Sequence, residues 1–133
     1  MSDYFQWDAA RYGLNVPAMD HEHETLIGYM NAVHSLHAAG AGRAALGAAL
    51  QKLVDYTRKH FADEEAYMER IGFPGLRLHA GVHRQLLARV GEFVAGFDRT
   101  GELTDDFFVF LRMWLKAHIC GVDVKYVPQA QTA

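Results

Sequence analysis

The sequence predicts an all-α fold: an up-down-up-down four-helix bundle preceded by an N-terminal arm. Three observations carry that expectation. Core-type residues recur at three- and four-residue steps over long stretches, as in Leu50, Leu53, Thr57, His60, Glu64, Met68 and Ile71. Leu76, His79, Val82/His83, Leu86, Val90, Phe93 and Phe97 repeat the pattern. No stretch alternates apolar and polar residues for long enough to form a strand, and short breakers rich in glycine divide the chain into four amphipathic segments.

The arm covers residues 1 to about 18 and carries Trp7, Tyr12, Leu14, Val16 and Pro17, so it is expected to pack on the body. The first helix runs from Ala18 or Asp20 to Ala39, where Gly40-Ala41-Gly42 ends it. The second runs from Arg43 to Ile71, and Gly72-Phe73-Pro74-Gly75 is the strongest breaker in the chain. The third starts near Gly75, reaches Phe97 or Asp98, and is closed by Thr100-Gly101. The fourth starts near Thr104, an N-cap residue type with Asp105 and Asp106 behind it, and runs to about Ile119 or further. Residues 127–133 read as a short tail, and residues 1–133 as one domain.

Composition narrows the function classes. With 50% hydrophobic and 22% charged residues the chain has the means to bury a core and is not a disordered segment. Thirteen basic against sixteen acidic residues leave a formal net charge of −3, without the basic excess of a nucleic-acid binder. No apolar run approaches the roughly 20 residues of a membrane span, and no basic segment followed by an apolar one marks a secretory signal at the start. A single cysteine, Cys120, excludes an internal disulfide framework and fits a reducing compartment, so a cytoplasmic location is expected; the oligomeric state is left open, with a monomer favoured. What stands out is histidine, eight in 133 residues.

Several of these histidines lie on core stripes, where an unpaired polar group is costly. His60 and Glu64 stand at i, i+4 and so lie within about 40° on one helix face; His79 and His83 repeat the geometry on the next helix. His118 follows Leu111, Trp114 and Leu115 on the inward face of the fourth helix, and His23 precedes Ile27 and Met30 on the first. His23 and His79/His83 begin their helices, whereas His60/Glu64 and His118 end theirs. Alternating helix directions bring all of them to one end of the bundle. A single inward histidine is commonly a satisfied core residue; convergence from four helices points to a metal.

Ligand type and number narrow the metal. His23, His60, His79, His83 and His118 supply five imidazoles, and Glu64 and Asp123 two carboxylates. Seven donors exceed the needs of one ion, since zinc takes about four and an octahedral ion about six. A two-metal site fits if both carboxylates bridge, one ion then having three imidazoles and the other two, with a vacant position for a small molecule. Imidazole and carboxylate donors with an open position suit iron. Ferritin-like sites use a Glu three residues before a ligating His, and no histidine here has one; Asp20 before His23 comes nearest.

These residues resemble the hemerythrin family, and within it the single-domain bacteriohemerythrins. The matching pieces are Asp20-His21-Glu22-His23, then His60-Phe61-Ala62-Asp63-Glu64-Glu65 with Met68, and Gly72-Phe73-Pro74. His79-x3-His83 and Trp114-Leu115-x2-His118-Ile119-x3-Asp123-x2-Tyr126 follow, and Trp7 also fits. The resemblance spans nearly the whole chain. It implies a four-helix bundle with a non-haem di-iron centre, bridged by hydroxide or oxide, that binds O2 reversibly and is not an enzyme. His79, His83 and His118 would hold one iron, His23 and His60 the O2-binding one, and Glu64 and Asp123 would bridge them. Glu22 departs from the glutamine common there and is not itself a ligand.

Other residues are assigned more ordinary places. His21, two residues from His23, faces nearly the opposite way. His34 returns to the His23 face but about 16 Å further along the axis, too far to share the site. His34 and His37 are expected to be surface or satisfied polar residues, and Asp63 and Glu65 solvated. Cys120 is expected about 200° from His118, facing away from the metals as a partly buried thiol. O2 storage, transport or delivery is the expected role, with an oxygen-consuming enzyme as the candidate partner. An O2, redox or iron sensor and a di-metal enzyme acting on peroxide or nitric oxide are the alternatives.

One spacing conflicts with a regular helix. His118 and Asp123 are five residues apart, about 140° out of register. Either the helix distorts, as in a π-type turn, or it ends near Gly121 and a non-helical backbone swings Asp123 inward. The distorted continuation is the favoured expectation, with a departure from regular hydrogen bonding between His118 and Asp123.

Overall fold

Proline at the head and glycine past the end set the limits of the first helix. In the computed structural model α1 spans Pro17–Ala38 with Pro17 in its first turn, where its missing N–H costs nothing. Gly40 follows at φ 72°, a left-handed conformation that favours glycine, and the Ala41 N–H returns to the Leu36 carbonyl. Helix α2 covers Arg43–Arg70 and is closed in the same way by Gly72, at φ 71°, with the Phe73 N–H on the Met68 carbonyl. Helix α3 covers Leu76–Thr100, two residues beyond the expected end; the Thr100 hydroxyl donates to the Gly96 carbonyl and Gly101 closes the turn. Helix α4 covers Asp105–Gly121, with two aspartates in its first turn, and a 3-10 turn follows at Asp123–Tyr126. There is no strand among the described residues. These are residues 5–7, 12–14, 16–121 and 123–128, without the side chains of Cys120, Gly121 and Val124. The expected orientation of Cys120 and the tail beyond residue 128 lie outside them.

The four helices form a bundle around one apolar core. Leu26, Ile27, Met30 and Val33 come from α1; Leu50, Leu53, Phe61 and Met68 from α2; Phe107, Leu111, Leu115 and Ile119 from α4. Helix α3 contributes fewer buried apolar side chains, Val90 and Phe97, and turns His79 and His83 inward instead. The described residues of the arm pack on the body. Phe5, Tyr12, Leu14 and Val16 are buried. The Asn31 side chain of α1 clamps Phe5, accepting its N–H at 2.9 Å and donating to its carbonyl at 2.7 Å. Asp20 accepts the Leu14 N–H at 2.8 Å, so a first-turn acid of α1 also secures the arm.

Candidate metal centre

Each helix delivers its polar core residues to the same end of the bundle. His23 comes from the second turn of α1, His60 and Glu64 from the last third of α2, His79 and His83 from the start of α3, and His118 from the end of α4. Asp123 comes from the 3-10 turn. All seven side chains are buried, none more than 4% exposed.

The donor atoms form two groups. One nitrogen or oxygen from each of Glu64, His79, His83, His118 and Asp123 lies within 4.8 Å of the others, and so do those of His23, His60 and Glu64. Glu64 belongs to both, and its two oxygens divide between them. Oε1 stands 3.1 Å from His79 Nε2, 3.0 Å from His83 Nε2 and 3.9 Å from His118 Nε2. Oε2 stands 3.6 Å from His23 Nε2 and 3.8 Å from His60 Nε2. Asp123 divides likewise, with Oδ1 2.9 Å from His79 Nε2 and 2.8 Å from His118 Nε2, and Oδ2 3.0 Å from His23 Nε2.

The cluster leaves polar atoms unpaired, as a site fitted to an ion does. His23 Nε2 and both Asp123 oxygens are buried without a hydrogen-bond partner, although they lie close together. His118 Nε2 stands 3.3 Å from His79 Nε2 and 3.2 Å from His83 Nε2. Neighbouring nitrogens on an ion with bonds near 2.1 Å at right angles sit roughly 3 Å apart. The donor set therefore fits two first-row transition-metal ions.

The regular α-helix gives way before Asp123, as the five-residue spacing from His118 requires, but to a 3-10 turn rather than a π-type widening. Helix α4 ends at Gly121, and Asp123 opens a 3-10 turn instead of continuing a widened helix. The Asp123 carboxylate is wholly buried, with Oδ1 2.8 Å from His118 Nε2 despite the five-residue spacing. Tyr126, three residues on, is fully buried and donates its hydroxyl to Glu64 Oε2 at 3.0 Å.

Glu65 is a correction. It is about one-third exposed, but its carboxylate accepts from His83 Nδ1 at 3.0 Å, so it is not simply solvated. Glu22 does the same for His60 Nδ1 at 2.8 Å. Both flank a cluster residue in sequence. A position about 100° around the helix from an inward one faces the seam with the next helix, which is the signal that could have found them. Asp63 is half-buried and pairs with Lys59 at 2.6 Å. His21 is exposed, and His37 lies against Phe108 and 3.8 Å from Asp105. His34 packs edge-on against the same phenylalanine.

The charges within the cluster support one another. Burial by itself would lower the His23 and His79 pKa values, but the adjacent Asp123 and Glu64 carboxylates outweigh it and raise both to about 9. His118 is raised by the same partners against burial. Burial opposes ionisation of Glu64 and Asp123, yet the surrounding histidines hold both below the usual carboxylate range. Burial and then the neighbouring carboxylates push the Tyr126 phenol far up, so it keeps its proton. In metal-free protein the histidine contribution is complete below 6.5 and lost as pH rises through about 9. The carboxylate contribution is complete above their ordinary values of 3.8 and 4.5 and lost as pH falls below them. Metal-free protein is thus expected to melt highest at about pH 5 to 6, and metal, which binds neutral imidazole, is expected to restore the alkaline side. Equal melting temperatures for the metal-free protein at pH 5.5 and pH 9 would contradict this.

The comparisons with known proteins agree with this architecture. The family model "Hemerythrin HHE cation binding domain" matches residues 14–130. A bacteriohemerythrin of Methylococcus capsulatus is 33% identical over 123 residues, covering 92% of this chain and 93% of the relative. One of Stenotrophomonas maltophilia is 33% identical over 118 residues, 89% of this chain and 76% of the relative. A myohemerythrin of Riftia pachyptila is 33% identical over 122 residues, 92% and 90% of the two chains. A wild-type hemerythrin crystal structure superposes with a TM-score of 0.85 at 32% identity, covering 94% of this chain and 96% of that one. Matched over most of its length by the family model and by full-length relatives, and holding a buried histidine–carboxylate cluster where four helices meet, the chain belongs to the hemerythrin family.

Proposed function

We propose that the protein binds O2 reversibly at a non-haem di-iron centre and serves to store or deliver it in the cytoplasm. The observation that carries this reading is the division of the Glu64 and Asp123 oxygens between a three-histidine and a two-histidine group. His79, His83 and His118 would hold one iron, His23 and His60 the other, with Glu64 and Asp123 between them. Iron would supply the redox chemistry that reversible O2 binding needs. The group with fewer imidazoles leaves more of its ion free for a small ligand.

The chain's own residues keep the site dry and orient it. Ile27, Phe61, Met68, Trp114 and Leu115 are all buried apolar side chains. Phe61 lies flat on the His83 ring, centroids 3.9 Å apart and planes at 5°, and Trp114 stacks on His118 at 5.8 Å. A wall of this kind excludes water and anions that would compete with O2. Tyr126 fixes Glu64 Oε2 on the side of His23 and His60. Glu22, Glu65 and Tyr126, titratable groups against the cluster, are each bonded to a cluster residue rather than turned toward open space. That arrangement favours binding over acid–base catalysis.

Elemental analysis of protein produced with iron is expected to give two irons per chain; one metal, or mainly zinc, would overturn the di-iron reading. The visible spectrum should gain bands in air that bleach on removal of O2 and return. Bands that fail to return, with consumption of peroxide or nitric oxide, would favour the enzyme reading instead.

A further inference from the structure

Two of the five imidazoles are held from outside the cluster, and they belong to opposite groups. His60 Nδ1 donates to Glu22 Oε1 at 2.8 Å, and His83 Nδ1 donates to Glu65 Oε2 at 3.0 Å. The Nδ1 atoms of His23, His79 and His118 are buried without a partner among the described residues. Each acceptor comes from the preceding helix: Glu22 on α1 reaches across to α2, and Glu65 on α2 reaches across to α3. Each is also the immediate sequence neighbour of a cluster residue, His23 or Glu64. One helix therefore supplies a donor to the centre and, one residue away, a brace for the donor on the next helix. Glu22 is itself held, since Lys59 lies 3.8 Å from its carboxylate while pairing with Asp63.

We propose that Glu22 and Glu65 are positioning residues, one for each metal position: Glu22 acts on the His23/His60 position through His60, and Glu65 on the three-histidine position through His83. This rests on the di-metal reading above. A carboxylate on Nδ1 keeps that nitrogen protonated, turns the Nε2 lone pair inward and makes the ring a stronger donor. Glu64 and Asp123 face both positions, so their loss would loosen both. Glu22 and Glu65 each touch one imidazole, so the loss of either would loosen one position and leave the other. Lys59, an exposed side chain, would act at one further remove by holding Glu22.

The test uses zinc(II), which is diamagnetic and indifferent to O2, loaded into metal-free wild type and into Glu22→Ala, Glu22→Gln, Glu65→Ala and Lys59→Met. Release of each zinc to a chelator is timed, and histidine ring signals are followed by NMR. Wild type is expected to release two zincs slowly. Glu22→Ala should release one of them about tenfold or more faster. The rings of His79, His83 and His118 should stay metal-bound in that variant. Glu65→Ala should reverse the assignment, keeping His23 and His60 loaded. Glu22→Gln retains an acceptor and should stay near wild type, with the His60 Nδ1 proton still visible; in Glu22→Ala that signal should vanish. Lys59→Met, an exposed change that leaves the core intact, should speed release of the same zinc as Glu22→Ala by a smaller factor. Release of both zincs at wild-type rates in the alanine variants, or equal acceleration of both, would overturn the proposal. So would faster release explained by a lowered melting temperature of the metal-free variants and equally present in Glu22→Gln. Iron content of the wild type, measured separately, tests the di-metal reading itself: two irons with unselective variants sink only the positioning roles.

Discussion

Glu64→Ala is expected to lose both irons to a chelator under conditions in which His23→Ala still keeps one. Glu64 Oε1 faces His79, His83 and His118, and Oε2 faces His23 and His60, so the side chain serves both groups. His23 lies in the two-histidine group, and its removal leaves the three-histidine group intact. The metal-free variant should also be destabilised, by about 3–5 kcal/mol, because a buried carboxylate facing raised histidines is removed. The Tyr126 hydroxyl would lose its acceptor as well. Iron retained after chelation, measured with denaturant unfolding of both metal-free variants, checks the two parts separately. Equal retention in Glu64→Ala and His23→Ala would show that Glu64 does not lie between two metals.

Leu115→Ala is expected to shorten the life of the O2-responsive state while leaving the iron content unchanged. Leu115 is 1% exposed and sits three residues before His118, on the same face of α4. Trimming it opens space beside the cluster, where water or an anion can enter. The cavity should cost about 2–5 kcal/mol of stability, as large-to-small core changes do. Repeated cycles of oxygenation and deoxygenation, followed by the visible spectrum, measure the lifetime. A rate of loss equal to wild type would make Leu115 ordinary core and not a barrier.

The helices were legible because their signals are local. Three- and four-residue periodicity marks each one, and Gly40, Gly72 and Gly101 stand in left-handed turns just past three of them. The errors at the ends were small, as with the third helix running to Thr100. The convergence of His23, His60, Glu64, His79, His83 and His118 was legible for a related reason. In an up-down bundle, height along each helix is set by sequence position, and face is set by the 3.6-residue turn.

Three features escaped the sequence because each depends on another helix or on backbone outside a helix. The bond of Glu65 to His83 required the spacing of α2 and α3, since by its own helix Glu65 lies off the inward stripe. The Glu22 bond to His60 likewise crosses from α1 to α2. Asp123 required the choice between two ways of leaving α4. In the structure α4 ends at Gly121, a 3-10 turn opens at Asp123, and both its carboxylate and Tyr126 are buried; no propensity along residues 118–126 distinguishes that from a widened helix.

By itself, then, the sequence determined the four helices, their alternating directions and the end of the bundle at which the polar core residues gather, because periodicity and position along a helix are properties of the chain alone. Only the tertiary structure decided which oxygen of Glu64 and of Asp123 faces which histidines, and which outer carboxylate braces which ring. Most of those relations join different elements, from 15 residues apart for Glu64 and His79 to 100 for His23 and Asp123, and are set by how neighbouring helices rotate and slide against one another while packing Phe61, Leu115 and Tyr126 between them.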